Sequence, residues 1–260
     1  MIIALYGVII IIATMLGAFV GLGGGVIIKP LLDLIGHDSI DVVNFVSSCA
    51  VFSMSISSTV KHVSAKTKID FKFVVTISIG AVLGGIGGSA LFDYLLTVFD
   101  NGILKALQGL ILGLLLVLSV IYVNVKNAKS FNVKNPVGIV FSGLVLGFTA
   151  SFLGVGGGPI NVAFLVLFFS MTMKDAAVYS VATIFFSQLS KLITIGISGT
   201  VPSVSGITLA VAIVCAVSGG IIGAKMNKKF DEKKIRSIFT IVVAVIAGVN
   251  FYNAVTGFIS

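Results

Sequence analysis

The stretch Gly21-Leu22-Gly23-Gly24-Gly25 recurs as Gly154-Val155-Gly156-Gly157-Gly158, and each copy is set in otherwise unbroken apolar sequence. Clustered glycines interrupt a helix. In hydrocarbon every backbone N–H and C=O needs an internal partner, so such a break is tolerated only where protein or a water-filled cavity surrounds it. Two breaks at corresponding places in two halves of a chain point to a transport site made from discontinuous helices.

The rest of the composition agrees. The 260-residue chain is 57% hydrophobic and 10% charged, with no tryptophan, which excludes an ordinary soluble domain. Several apolar stretches approach the roughly 20 residues a helix needs to cross a bilayer, so the expected class is an all-α integral membrane protein, not a strand barrel. The stretch from Met1 to Val20 has no basic leader and no small-residue cleavage site, and reads as a helix of the mature protein. The net charge of +8 comes mostly from lysines in short connections, where the positive-inside rule accounts for them without nucleic acid as a partner. Cys49 and Cys215 lack the spacing of a metal or redox site and read as buried, inert thiols; no metal or cofactor is expected.

Hydropathy and breakers predict helices near 2–20, 26–36, 42–60, 71–95 and 102–124, then 137–153, 159–172, 176–198, 205–225 and 235–258. The segments 26–36 and 159–172 are too short to span about 30 Å at 1.5 Å per residue, and each begins at a glycine knot. Phe45, Phe52 and Ser53 fall opposite Tyr179, Phe186 and Ser187, and the glycines at 84–88 fall opposite those at 219–223. One five-segment unit is therefore used twice: residues 1–125 and 137–260 form the repeats, and 126–136 links them. Gly80, Gly84 and Gly88 share a helical face, as do Gly219 and Gly223, a spacing suited to close helix packing.

Loop charges orient the halves. Lys61, Lys66, Lys68 and Lys72 follow the third segment, whereas its counterpart, Ile195 to Ser205, is uncharged. The next pair is reversed, with Asp93 and Asp100 in the first half against Lys225, Lys228, Lys229, Lys233, Lys234 and Arg236 in the second. With basic loops in the cytoplasm, the repeats are inverted, the linker carrying Lys126, Lys129 and Lys134 is cytoplasmic, and both termini are external. Asp33, His37, Asp38 and Asp41 then also fall outside. Each glycine-containing pair of segments is either two helices or one re-entrant hairpin.

A helix starting inside the membrane presents unpaired N–H groups and a partial positive charge, and glycine lets a ligand approach that backbone. Gly21, Gly23, Gly24 and Gly25, with Gly154, Gly156, Gly157 and Gly158, are thus candidates for an anion cradle, the bland reading being tight helix crossing. Pro159 suits the first position of a half-helix. Lys29, one turn beyond the first knot, would complement a bound anion; alternatively it reaches an interface or pairs with Asp33. Asn161 is an oxyanion donor or a backbone cap. Ser53 and Ser187 stand at matching positions, with Thr183, Gln188 and Lys191 on nearby turns, although hydroxyls in membrane helices commonly bond their own backbone. Lys191 lies well inside an apolar run and would be costly facing lipid. Lys61 and His62 read first as a solvated basic helix end, and second as anion capture or pH sensing.

The run from Gly21 through Lys29 and Pro30 to Leu32 resembles the glycine-proline signature of the TauE/SafE family of sulfite exporters. Gly154 to Asn161 is similar to its second copy, and the segment around His62, Ile69 and Asp70 to the loop after the third helix; the likeness covers essentially the whole chain. The second copy departs in having Ala163 where the first has Pro30. The resemblance implies a multi-pass plasma-membrane carrier of sulfur-containing or organic anions, commonly described as exporting sulfite or sulfonate.

The expected function is a secondary transporter of a small sulfur-containing anion, sulfite or an organosulfonate, working by alternating access of inverted repeats. A passive anion channel or a carrier of other organic anions is the alternative. Its partners would be that anion, the bilayer and a possible coupling ion. An intramembrane enzyme would need a nucleophile with its base, or metal ligands, within the spans; His37 and His62 stand at loop ends and no carboxylate pair lies in a predicted span.

Overall fold

The protein is described by a computed structural model covering residues 2–65, 69–99, 101–125, 130–153, 158–199 and 201–259. Lys66, Lys68, Asp100, Lys126, Lys129 and the glycines at 154, 156 and 157 lie outside the described residues, as do the side chains of Asp33 and Asp93. Within them the chain forms ten helices and no strand: α1 (Ile2–Val20), α2 (Gly25–Ile35), α3 (Ile40–Ser64), α4 (Phe71–Val98), α5 (Asn101–Asn124), α6 (Pro136–Phe152), α7 (Gly158–Phe169), α8 (Met173–Ser198), α9 (Gly206–Lys229) and α10 (Glu232–Ile259). Seven of these are long and apolar enough to cross a membrane: α1, α3, α4, α5, α8, α9 and α10. Their outer faces carry large exposed apolar side chains such as Leu83, Ile86, Val214 and Ile241, a surface that hydrocarbon solvates and water does not.

Every expected segment is present, and the differences lie at the ends. Helix α3 continues through Lys61 and His62 to Ser64, since cations in a last turn favour the helix dipole and do not stop the helix. Starts are set by caps: Asp70 accepts from the Phe73 N–H (3.1 Å), Thr172 from the Asp175 N–H (3.1 Å), and Asn135 from the Gly138 N–H, each satisfying an orphan donor. Helix α7 stops at Phe169 because Ser170 takes a left-handed φ of 56°.

Short helices α2 and α7 each fold back on the helix before them. Tyr6 on α1 donates to the Asp38 carboxylate after α2 (2.7 Å), closing the first hairpin at its open end. The second closes in the same way: the Phe131 and Val133 N–H groups, ahead of α6, donate to Leu167 and Phe168 carbonyls at the end of α7 (2.9 and 2.8 Å). Helix α2 has 11 residues and α7 has 12, so each is about 16–18 Å long, half a bilayer crossing. Their starts, at the knots, are the hairpin tips.

The tightest helix crossings join the two halves of the sequence. Gly80, Gly84 and Gly88 of α4 lie on the Val140, Leu144 and Phe148 carbonyls of α6, and Gly143 and Gly147 of α6 lie on the Ile77 and Ala81 carbonyls of α4. Between α1 and α9, Gly219 faces Ile11 and Thr14, and Gly223 faces Met15 and Phe19. Residue numbers rise together in both crossings, so both pairs are parallel. Helices α5 and α10 are antiparallel, with Gly109 against Asn250 and Asn124 bonded to Thr240 (2.8 Å). In lipid no hydrophobic effect separates helix from solvent, so this backbone approach supplies the attraction by dispersion and weak carbonyl contacts.

At Gly147 an added Cβ would stand 1.9 Å from the Ala81 carbonyl oxygen, whereas at Gly248 it would meet nothing within 4 Å. Gly147→Ala should therefore open the α4–α6 crossing and cost about 1–3 kcal/mol, and Gly248→Ala should cost nothing measurable. Thermal unfolding of the two purified variants in detergent checks the difference.

Candidate functional site

The first knot is a run of backbone that only glycine adopts easily. Gly21, Gly23 and Gly24 have φ of 83°, 77° and 71°, the left-handed region where a Cβ is strained. These turns reverse the chain so that α2 starts beside Ala13, Thr14 and Gly17 of α1. The Gly23 N–H donates to the Gly17 carbonyl (3.3 Å), the Gly25 N–H to Gly23 (2.9 Å), and the Ile27 N–H to Gly24 (2.9 Å). The knot thus satisfies several of its own donors.

Amide side chains from the neighbouring helices serve the broken helix ends. Asn227 of α9 donates to the Phe19 carbonyl at the end of α1 (2.9 Å), and Gln108 of α5 donates to the Phe152 carbonyl at the end of α6. Ser180 of α8 donates to the Gly21 carbonyl (2.7 Å). Carbonyls that a continuous helix would pair internally are paired here from outside, as burial away from water requires.

The two tips touch. A Cβ on Gly158, the first residue of α7, would lie 1.8 Å from the Leu22 carbonyl oxygen, and one on Gly21 would collide with Val162 of α7 and Ala177 of α8. Next to this contact lies a small cavity of about 40 Å³, lined by Leu22, Gly23 and Gly25 of the knot, Lys29 of α2, Asn44, Ser47, Ser48 and Val51 of α3, and Gln188 and Lys191 of α8. It admits a group of a few heavy atoms.

Its electrostatics are one-sided. Lys29 and Lys191 both line it, and no carboxylate is among its described lining residues. Gln188 is buried, and its Oε1 has no hydrogen-bond partner among the described residues. The amide orientation is set by its surroundings, so Gln188 offers the cavity an unspent polar group in either orientation. Two ammonium groups with no counter-ion among the described side chains, in a site with amide and hydroxyl groups, fit an anion.

Of the residues singled out in the sequence, Gly23, Gly25, Lys29, Gln188 and Lys191 come together here. Gly21 and Gly24 shape the turn, and Gly158 and Pro159 begin α7 on the other side of the tip contact. Asn161 is buried in α7 and does not line the cavity. The hydroxyls of Ser53, Thr183 and Ser187 turn back onto carbonyls of their own helices, Cys49, Ser180 and Thr183 respectively (2.8, 2.8 and 3.4 Å). Asn44, Ser47 and Ser48 were not singled out. Their signal is the spacing 44, 47, 48 and 51, which puts three polar side chains and Val51 on one helical face.

Gly25→Ala is the informative variant. Its Cβ would meet Val51 Cγ2 at 3.2 Å and Ser47 Oγ at 3.7 Å, and its backbone needs no left-handed φ. The methyl should occupy the cavity and weaken anion binding at least about tenfold with little change in melting temperature. Gly23→Ala, strained at φ 77° and 2.6 Å from Ile184 Cδ1, should lower the melting temperature itself. Calorimetric titration with sulfite and thermal unfolding separate the two.

The sulfite exporter TauE/SafE family profile matches residues 6–250. The chain is 26% identical to the probable membrane transporter protein YunE of Bacillus subtilis, over 94% of this chain and 96% of that protein. It is also 26% identical to a probable membrane transporter protein of Methanocaldococcus jannaschii, over 90% of each. No solved structure gives a significant match.

Proposed function

The chain belongs to the sulfite exporter TauE/SafE family of membrane transporters, and on that premise we propose that it exports a small sulfur-containing oxyanion, sulfite or a short organosulfonate, by alternating access. The observation that carries this reading is the cavity beside the hairpin tips, with Lys29 and Lys191 and no acidic residue among its described lining. A transport site at discontinuous helices suits a small charged solute, since side chains and glycine backbone can replace its lost water.

The halves act as inverted repeats, 1–125 and 137–260 about the linker 126–136. Support comes from helix direction: parallel α1–α9 and α4–α6 crossings together with an antiparallel α5–α10 pair are what an inverted arrangement requires. The basic connections also gather at one end, where Lys228 Nζ donates to the Ala65 carbonyl (2.9 Å) and Lys174 Nζ to the Lys228 carbonyl (2.9 Å). That end is cytoplasmic under the positive-inside rule, which puts the linker inside and both termini outside the plasma membrane.

The moving bodies are not the sequence halves. Crossings as tight as α1–α9 and α4–α6 do not slide without a large packing cost, so α1, α2, α3 and α9 move as one unit and α4, α6, α7 and α8 as the other. They meet at the hairpin tips, where Gly158 lies against Leu22 and Gly21 against Ala177, and at α3 and α8, where the Phe52 and Phe185 rings stack with centroids 5.4 Å apart. The cavity lies on that same seam, between α2 and α3 on one side and α8 on the other. Rocking along the seam would open it to alternate faces.

Two measurements test the proposal. Proteoliposomes should show saturable sulfite uptake with counterflow, lowered at least about tenfold by Lys191→Met; non-saturating flux without counterflow would remove the carrier reading. In a background with Cys49 and Cys215 replaced by alanine, cross-linked Phe52→Cys/Phe185→Cys should lose transport. In a Cys49→Ala background that keeps Cys215, cross-linking Gly7→Cys to Cys215, within one unit and 3.3 Å from an added Cβ, should leave transport intact. Equal transport in both cross-linked forms would overturn the assignment of moving bodies.

A further inference from the structure

A second cavity, of about 180 Å³, lies at the basic end between α3 and α9 and shares no residue with the first. Lys61, His62 and Ala65 line it from α3 and the turn after it; Ala224, Lys225, Lys228 and Lys229 line it from α9. No carboxylate is among these residues. His62 is only 3% exposed. The acids nearest in sequence are engaged elsewhere: Glu232 holds Arg236 (3.0 Å) and the Asp231 carboxylate accepts from the Lys234 N–H (3.3 Å).

Positive charge gathered this densely, with no counter-ion among the described residues, is unfavourable by itself because like charges repel. Solvated lysines would spread apart. Here the Lys228 Nζ is instead drawn to the Ala65 carbonyl, and two helices with a buried imidazole between them form a pocket rimmed by exposed lysines. Large apolar side chains beside the lining residues in sequence, Val60 and Val63 on α3 and Ile222 on α9, are exposed. The cavity therefore sits where a lipid-facing surface gives way to a basic rim, the level of phospholipid head groups.

We propose that this cavity is a binding site for a phosphate-bearing group, held by Lys61, Lys225, Lys228 and Lys229 with His62 at its base, and that the group is the head of an anionic phospholipid from the same leaflet. The site ties α3 to α9 at their basic ends. It does not depend on the transport reading, since neither Lys29 nor Lys191 takes part.

The test reads binding, not transport. The purified full-length protein in detergent is titrated with phosphatidylglycerol, with phosphatidylcholine and with inorganic phosphate, following melting temperature and bound lipid by native mass spectrometry. Phosphatidylglycerol should raise the melting temperature saturably and phosphatidylcholine should not. Lys61→Gln/Lys225→Gln/Lys229→Gln, which keeps the structural Lys228, should weaken that binding at least about tenfold. The control Lys134→Gln/Lys233→Gln, outside the cavity, should stay within about twofold, and Lys225→Arg/Lys229→Arg should retain binding if the triple variant proves unstable. Saturable inorganic phosphate binding that the triple variant loses, without a lipid preference, supports the phosphate site with a free anion as its source. Wild-type affinity for both probes in the triple variant, or equal stabilisation by phosphatidylcholine, overturns the proposal.

Discussion

Contact between Gly158 and the Leu22 backbone is the constraint on which the rest of the molecule depends. Any side chain at 158 would overlap the Leu22 carbonyl, so the tips of the two hairpins meet only because both are built of glycine. Once they meet, α1 and α6 have to end where they do, and their last carbonyls must be paired by Asn227 and Gln108 from other helices. The cavity is a by-product of the same geometry. The reversing backbone of the first knot leaves space beside it that α3 and α8 line with polar side chains.

Glycine does a second and different job away from the tips. In α4, α6 and α9 it has ordinary helical backbone and serves only to be small, letting carbonyls of a neighbouring helix come within van der Waals reach. Because these crossings pair α1 with α9 and α4 with α6, each packed unit draws helices from both halves of the chain. Sequence repeat and mechanical unit therefore differ. A single exchange of partners places the polar seam between α3 and α8, and with it Lys29, Gln188 and Lys191.

Much of this was legible before any coordinates. All ten helices follow from apolar run length and glycine or proline breaks, because a helix crossing lipid must satisfy its own backbone and has few ways to begin or end. The packing role of Gly84 and Gly219 follows from spacing alone. The site was legible only in part. Lys29 and Lys191 stood out because an ammonium in an apolar run demands an explanation, and Gln188 because it sits beside them. Ser53 and Ser187 stood out by symmetry, yet their hydroxyls bond their own helices. Asn44, Ser47 and Ser48 carry the better signal, a polar face, in a helix where serine is common enough to hide it.

By itself the sequence determined the class of protein, the number and extent of its helices, the reversal of loop charge between its halves and the two places where the backbone must break. These are consequences of local chemistry, of hydrocarbon excluding unpaired backbone and of glycine tolerating left-handed φ. The tertiary structure alone decided that the breaks touch, that helices change partners between the halves, and which polar side chains share a cavity. Those outcomes depend on the direction a side chain takes from its helix and on how closely two backbones approach, distances set between residues far apart in the chain.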